Sequence, residues 1–288
     1  MKKLLILSGK GGTGKTTIAS NFIKISEARV FADCDVEAPN LHLVSQLNIP
    51  SKTEDYYGLD KYIIDQDVCI NCNLCKENCR FNAIEIKDGN YYINKFLCEG
   101  CGVCEMICPV NAISPVKSKD GEISLFSNKR VFATAELKMG SGNSGLLVTK
   151  VKKQLETEIK EKDLVIIDGP PGIGCPVIAS MSGVDLILLV AEPSMSGILD
   201  LKRIIKTAYS FKIPIAVGVN KYDLNLELTD EIINYVNENS YNYVGRIRYD
   251  RTIIDAINHG KNLAESTLSF QEIYKVYQET MKVLGVSI

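Results

Sequence analysis

The sequence predicts an α/β fold, a doubly wound and mostly parallel sheet with helices on both faces, interrupted by a small α+β insert. Three observations predict it. Apolar runs rich in Val, Ile and Leu, bounded by turn residues, alternate with helical patterns along most of the chain, the rhythm of parallel strands covered on both sides. A glycine-rich turn follows the first of these runs directly. Between 65 and 115 the rhythm gives way to a cysteine repeat with a period of 29 residues, from Cys69 to Cys98.

The first run, LLIL at 4–7, reads as strand one; it is too short, and meets glycines too soon, to be the apolar core of a secretory leader. RVFAD at 29–33 is the second strand. VFATAEL at 131–137, LVIID at 164–168, LILLVAE at 186–192 and PIAVGVN at 214–220 supply the others. Only two strands precede the cysteine segment, so the sheet domain is discontinuous, 1–64 and 116–288, with 65–115 as its guest. No apolar stretch approaches the roughly 20 residues needed to span a bilayer. In the tail, Phe270, Ile273, Tyr277, Met281 and Leu284 recur at helical spacing, while Lys275 and Lys282 are balanced by Glu272 and Glu279. That stripe reads as a helix docked on the protein's own core, with no stable membrane anchoring.

At 288 residues and 45% hydrophobic content the chain can bury a full core. A formal net charge of -2 gives no reason to expect a nucleic-acid partner, whose phosphate backbone needs a concentrated basic surface. Ten cysteines without a leader point to the reducing cytoplasm, where metal is the usual reason to keep so many.

Gly9, Lys10, Gly11, Gly12, Thr13, Gly14, Lys15 and Thr16 match GxxxxGK[ST] between a strand and a helix, and Thr17 continues into that helix. Glycines let successive backbone N–H groups turn onto a phosphate, Lys15 supplies charge at the β/γ oxygens, and the Thr16 hydroxyl can ligate Mg²⁺. Three more segments fall just beyond strand ends, where open α/β sheets bind ligands: Asp33 to Asn40, Asp168 to Gly172, and Asn220 to Asp223. Asp168 would hold a water on Mg²⁺, and Gly172 would let the next loop respond to the γ-phosphate.

CxxCxxCxxxC occurs twice, at Cys69, Cys72, Cys75, Cys79 and at Cys98, Cys101, Cys104, Cys108. Three close thiolates wrap one cubane and the fourth ligates the other, as in a bacterial ferredoxin. One [4Fe–4S] cluster is therefore assigned to Cys69, Cys72, Cys75 and Cys108, and the second to Cys98, Cys101, Cys104 and Cys79. Zinc would need CxxC pairs separated by a longer spacer. Pro109 follows the second run, but Arg80 replaces proline after the first, either raising a cluster potential or simply solvated.

Lys10 makes the glycine loop the deviant KGGxGK[ST] type, and the chain resembles the MinD/ParA/Mrp and nitrogenase-iron-protein class of P-loop ATPases over residues 1 to about 50 and 130 to 260. The resemblance implies an ATP-sandwiched dimer, formed with a second copy or with a paralogue, in which Lys10 reaches the partner subunit's phosphates. It also implies that Asp35 orients the attacking water and that Asn220 holds the adenine. Asp33 takes either the outer Mg²⁺ shell or a capping role in its loop. The tetrapeptide from Asn220 to Asp223 also matches a guanine motif, so ATP over GTP rests on the resemblance.

Cys175 lies seven residues after Asp168, the spacing of a bridging-cluster ligand in nitrogenase iron protein, but the MGSGNSG loop that should carry the companion ligand has no cysteine. Cys175 and Cys34 are therefore read as buried structural thiols. The function expected is ATP hydrolysis coupling dimer conformation to electron transfer toward a redox or metal-cofactor protein. Alternatives are a cluster or metal-cofactor scaffold and a redox-sensing regulatory switch.

Overall fold

The computed structural model describes residues 1–45, 47, 49–258 and 263–286. In chain order, β1 (Lys2–Ser8) leads through the glycine loop into α1 (Lys15–Ser26) and β2 (Val30–Asp33), followed by the short α2 (Leu41–Ser45). An arm strand, β3 (Lys52–Tyr57), carries the chain into the cysteine segment: β4 (Lys61–Ile64), α3 (Leu74–Glu77), β5 (Ile84–Lys87), β6 (Asn90–Ile93), α4 (Val103–Met106) and β7 (Ile113–Val116). The chain returns along β8 (Lys119–Ser127) to β9 (Val131–Leu137) and α5 (Ser144–Glu156). Then come β10 (Leu164–Pro171), α6 (Cys175–Met181), β11 (Leu186–Ala191), α7 (Met195–Tyr209), β12 (Ile215–Asn220), α8 (Leu226–Glu238), β13 (Asn242–Ile247), α9 (Arg251–Asn258) and α10 (Leu268–Leu284).

Nine strands form one sheet in the order β13-β12-β11-β1-β10-β2-β9-β8-β3. From β13 to β9 every neighbour pair is parallel, and β8 and β3 add an antiparallel edge. The central strands bury both faces, as their unbroken apolar runs require. Helices α5, α6, α7 and α8 cover one side through residues such as Val148, Met181, Ile204 and Ile232. On the other side lie α1, with Phe22, and α10. Ile273, Tyr277, Met281 and Leu284 of α10 are buried there, the docking that its stripe predicts, and Tyr277 meets Phe22 edge-on at 5.2 Å.

All six strands read from the sequence are present; β3, β8 and β13 were not read. The chain between β2 and β9 therefore adds an antiparallel arm to the edge of the sheet beyond β9, and the cysteine segment sits at its tip. There β4 pairs with β7 and β5 with β6, each antiparallel, around a small core of Tyr62, Ala83, Cys98 and Ile113. The repeat is visible in the backbone. Asn71, Asn73 and Asn82 take positive φ, as do Gly100, Gly102 and Asn111 at the corresponding positions one period later.

Candidate nucleotide site and cysteine-lined cavities

The loop after β1 curls at the carboxyl edge of the sheet and opens a cleft of about 360 Å³. Lys10, Gly11, Gly12, Thr13, Gly14, Lys15, Thr16, Thr17, Asp35 and Asn220 all line it. Gly14 sits at φ 90°, and a Cβ there would fall 2.3 Å from Asn220 Nδ2. That same Nδ2 donates to the Thr13 carbonyl at 2.7 Å, so β12 pins the loop from outside. Gly9 lies behind the loop, against Asp200 of α7. Gly172 reaches back to the loop's start, its N–H donating to the Ser8 carbonyl at 3.0 Å.

At the loop's exit the Lys15 ammonium donates to Asp168 Oδ1 at 2.8 Å and lies 3.9 Å from Asp35 Oδ2. Burial alone would lower the Lys15 pKa, but Asp168, Asp35 and Asp33 outweigh it and hold the ammonium above the ordinary lysine value. Asp35, half-enclosed, is raised by burial and partly relieved by Lys15. Asp33 is fully buried, and both its oxygens are taken by backbone amides: Oδ1 accepts from Asp35 N–H at 3.0 Å, Oδ2 from Asn40 and Leu41 N–H at 2.9 Å each. That is the capping arrangement. Burial and then the Asp168 charge push Asp33 up to about 7. Two buried atoms beside the loop, Thr13 Oγ1 and Asp168 Oδ2, have no hydrogen-bond partner among the described residues. Orphaned polar atoms of this kind fit the Mg²⁺ shell and phosphate oxygens of a bound nucleotide.

Residues that the sequence did not single out complete the site. Glu192, at the end of β11, faces two lysines: Lys10 Nζ at 3.7 Å and Lys221 Nζ at 3.4 Å. Lys10 also donates to Ser194 Oγ at 3.1 Å, and Lys221 to the Gly12 carbonyl at 2.8 Å. Arg248, Tyr249 and Asp250 line the cleft from the turn after β13. The strand-end rule applied to that unread strand finds them. Asp223 does not line the cleft; its carboxylate accepts the Tyr249 N–H at 2.6 Å.

Cys34 is buried as expected, and burial pushes its thiol up to about 12. Cys175 corrects the reading of a buried thiol: it is exposed. It is the first residue of α6, whose inward face is set by Val177, Ser180 and Met181, and that face does not include the first position.

The other eight cysteines fall around two cavities. Cys69, Cys72, Cys75 and Cys108 line one, with Tyr91 and Ile64; Cys98, Cys101, Cys104 and Cys79 line the other, with Tyr62 and Glu99. Each run's fourth sulfur accepts a backbone N–H, Cys79 Sγ from Ala83 at 3.4 Å and Cys108 Sγ from Ala112 at 3.2 Å. Burial, with Cys98 and Cys101 nearby, pushes the Cys104 thiol up to about 11, and Cys75 is raised for the same reasons beside Cys69 and Cys72. Among the described residues no three His, Cys, Asp or Glu side chains converge on a single metal ion. Arg80 is exposed to solvent.

A parallel sheet whose first strand ends in an amide-lined loop, with strand-end carboxylates meeting the loop's lysine, defines a P-loop nucleotide-binding protein. The chain belongs to the CobQ/CobB/MinD/ParA nucleotide binding domain family, which residues 4–263 match. It is 38% identical over 226 residues to an uncharacterized protein of Methanocaldococcus jannaschii, covering 77% of this chain and 79% of that one. The septum site-determining protein MinD of Bacillus subtilis is 25% identical over 302 residues, 99% of this chain and 90% of MinD. Among solved structures, MinD of Pyrococcus horikoshii in complex with Mg-ADP shares the fold with a TM-score of 0.57 at 18% identity, over 99% of this chain and 97% of that one. No helix of the described residues is long and apolar enough to cross a membrane.

Proposed function

We propose that the protein is a cytoplasmic, Mg²⁺-dependent ATPase that couples an ATP-dependent dimer to electron transfer from two [4Fe–4S] clusters toward a partner metalloprotein. One observation carries the reading: an unbroken physical link runs from the cleft to a cysteine cavity. Leu137 N–H donates to the carbonyl of Val36, the neighbour of Asp35, at 2.8 Å, and Lys138 N–H donates to the Asp120 carbonyl at 2.7 Å. The loop that follows lies against the insert. A Cβ on Gly140 would come within 3.0 Å of the Phe96 ring, and one on Gly142 within 2.6 Å of Glu99. Phe96 and Glu99 bracket Cys98, so movement of the Asp35 turn on nucleotide exchange reaches that cysteine loop through packed backbone.

The residues present fit both groups. For the nucleotide, the loop amides and Lys15 would hold the phosphates, Thr16 and a water on Asp168 Oδ2 the Mg²⁺, and Asp35 the attacking water. Asn220 favours adenine, since Asp223 is committed outside the cleft. Lys10, released from Glu192 and Ser194, would reach the phosphates of a partner subunit, a second copy or a paralogue. For the clusters, a cubane needs four sulfurs spread around a cavity, whereas a single ion needs them about 2.3 Å from one point. Two cavities lined by four cysteines each, with no single-ion group among the described residues, accord with the former. Bound clusters would supply one-electron storage; the segment 65–115, extended to 61–116 by the pairing of β4 with β7, is then a ferredoxin-like domain within a discontinuous P-loop domain.

Anaerobic stopped-flow spectroscopy of the reduced protein tests this, following visible cluster absorbance as it meets a low-potential acceptor. ATP should accelerate oxidation and Lys10→Ala should abolish the acceleration; rates indifferent to nucleotide would sink the proposal. The exposure of Cys72 and Cys101 favours a second reading, a cluster scaffold. Transfer of intact clusters to an apoprotein at a rate matching turnover would select it.

A further inference from the structure

The two cysteine cavities are not equivalent, and the difference is a single buried charge. Lys61, the first residue of β4, is 5% exposed. Its ammonium donates to the Cys98 carbonyl at 2.5 Å, and it enters no ion pair among the described residues. Taking an ammonium out of water with only a carbonyl for company is costly unless negative charge lies close by.

The internal repeat supplies the comparison. One period after Tyr62, which lines the second cavity, comes Tyr91, which lines the first. Lys61 therefore has Asn90 as its counterpart, neutral and half-exposed. Other charges also differ between the halves. Glu99 and Glu105 stand near the second cavity, Glu105 close enough to the Tyr62 hydroxyl to add to burial in raising its pKa, while Lys76 takes the place of Glu105 in the first half. Those side chains are half or fully exposed, so water screens them far more than it screens Lys61.

Resting on the cluster reading above, we propose that Lys61 is a tuning residue for the site of Cys98, Cys101, Cys104 and Cys79, raising the reduction potential of the cluster held there and leaving the other site untouched. A thiolate-bound cluster gains one negative charge when it takes up an electron, and a fixed ammonium beside it favours that form. Coulomb's law at an effective dielectric of about 20 makes a unit charge within about 12 Å worth at least roughly tenfold in the ratio of reduced to oxidised cluster at a fixed potential.

The test is an anaerobic redox titration of the full-length, iron- and sulfide-reconstituted protein with dithionite, read by electron paramagnetic resonance. Cys101→Ser and Cys72→Ser assign the signals to the second and first cavities. Lys61→Met should move only the second-cavity wave to more negative potential, and Lys61→Arg should restore it. Asn90→Lys should move the first-cavity wave in the positive direction, a readout that survives if Lys61→Met folds poorly. Equal shifts of both waves, or no shift in either Lys61→Met or Asn90→Lys, overturn the inference while leaving the clusters in place. A wild-type protein that binds no iron and sulfide overturns the cluster reading itself, and this inference with it.

Discussion

The Lys15 ammonium is bonded to the Asp168 carboxylate across 2.8 Å with both side chains buried, so the residue proposed to hold phosphate is paired with the residue proposed to hold the metal's water. Nucleotide must compete with that pair. Lys15→Met leaves Asp168, Asp33 and Asp35 crowded without a cation. It should abolish ATP binding and also lower the stability of the empty protein by about 3 kcal/mol, the scale for breaking one side of a buried pair. Calorimetric ATP titration and chemical denaturation measure the two effects separately. A variant as stable as wild type would mean the pair is not buried in solution.

Gly14→Ala attacks the loop from another direction. The backbone there is left-handed and the new methyl would land on the Asn220 amide, breaking its bond to the Thr13 carbonyl. ATP affinity should fall at least tenfold, with about 1–2 kcal/mol lost from the fold. Unchanged affinity would show that Asn220 does not pin the loop.

Asp33 predicts a pH dependence. Its carboxyl is raised from 3.8 to about 7 by burial and by Asp168, so the folded chain holds that proton more tightly than the unfolded one. The contribution to stability is full below about pH 4 and is lost as pH climbs through about 7. The Tm of the nucleotide-free protein should fall across that window relative to Asp33→Asn, whose profile should be flatter and whose stability at the acid end should be lower by about 1 kcal/mol for its lost acceptor. A wild-type Tm that rises relative to the variant over the same range would refute the assignment.

Asp223→Ala separates adenine from guanine recognition. Since Asp223 caps the Tyr249 amide outside the cleft, its loss should leave the preference for ATP over GTP intact and cost no more than a few-fold in affinity. Competition binding with the two nucleotides reads this out. Selective loss of GTP binding would place Asp223 on the base after all.

The legible parts of this protein are those whose chemistry needs neighbours in sequence. A phosphate loop and a cysteine run are contiguous by necessity, so Gly9 to Thr16 and the eight cluster-spaced cysteines declare themselves. Glu192 does not: its lysines, Lys10 and Lys221, meet it only once β1, β11 and β12 have come together. The edge strand β3, KTEDYY, buries only Tyr56, and so few inward residues leave no pattern to read. The misreading of Cys175 has a similar origin, since composition says that a free thiol is buried but not on which side of a helix start it falls.

The antiparallel arm makes the cysteine segment a single excursion of the chain from the sheet that carries it. Tyr57 on the outgoing strand stands opposite Lys119 on the returning one, and Lys119 is tied to Asp55 at 2.6 Å, so the chain departs and re-enters at nearly the same place. A tight turn would bridge that gap. The whole cysteine segment is thus a cassette, one that a single in-frame deletion or insertion could remove from or add to the P-loop domain without rethreading any strand of its sheet.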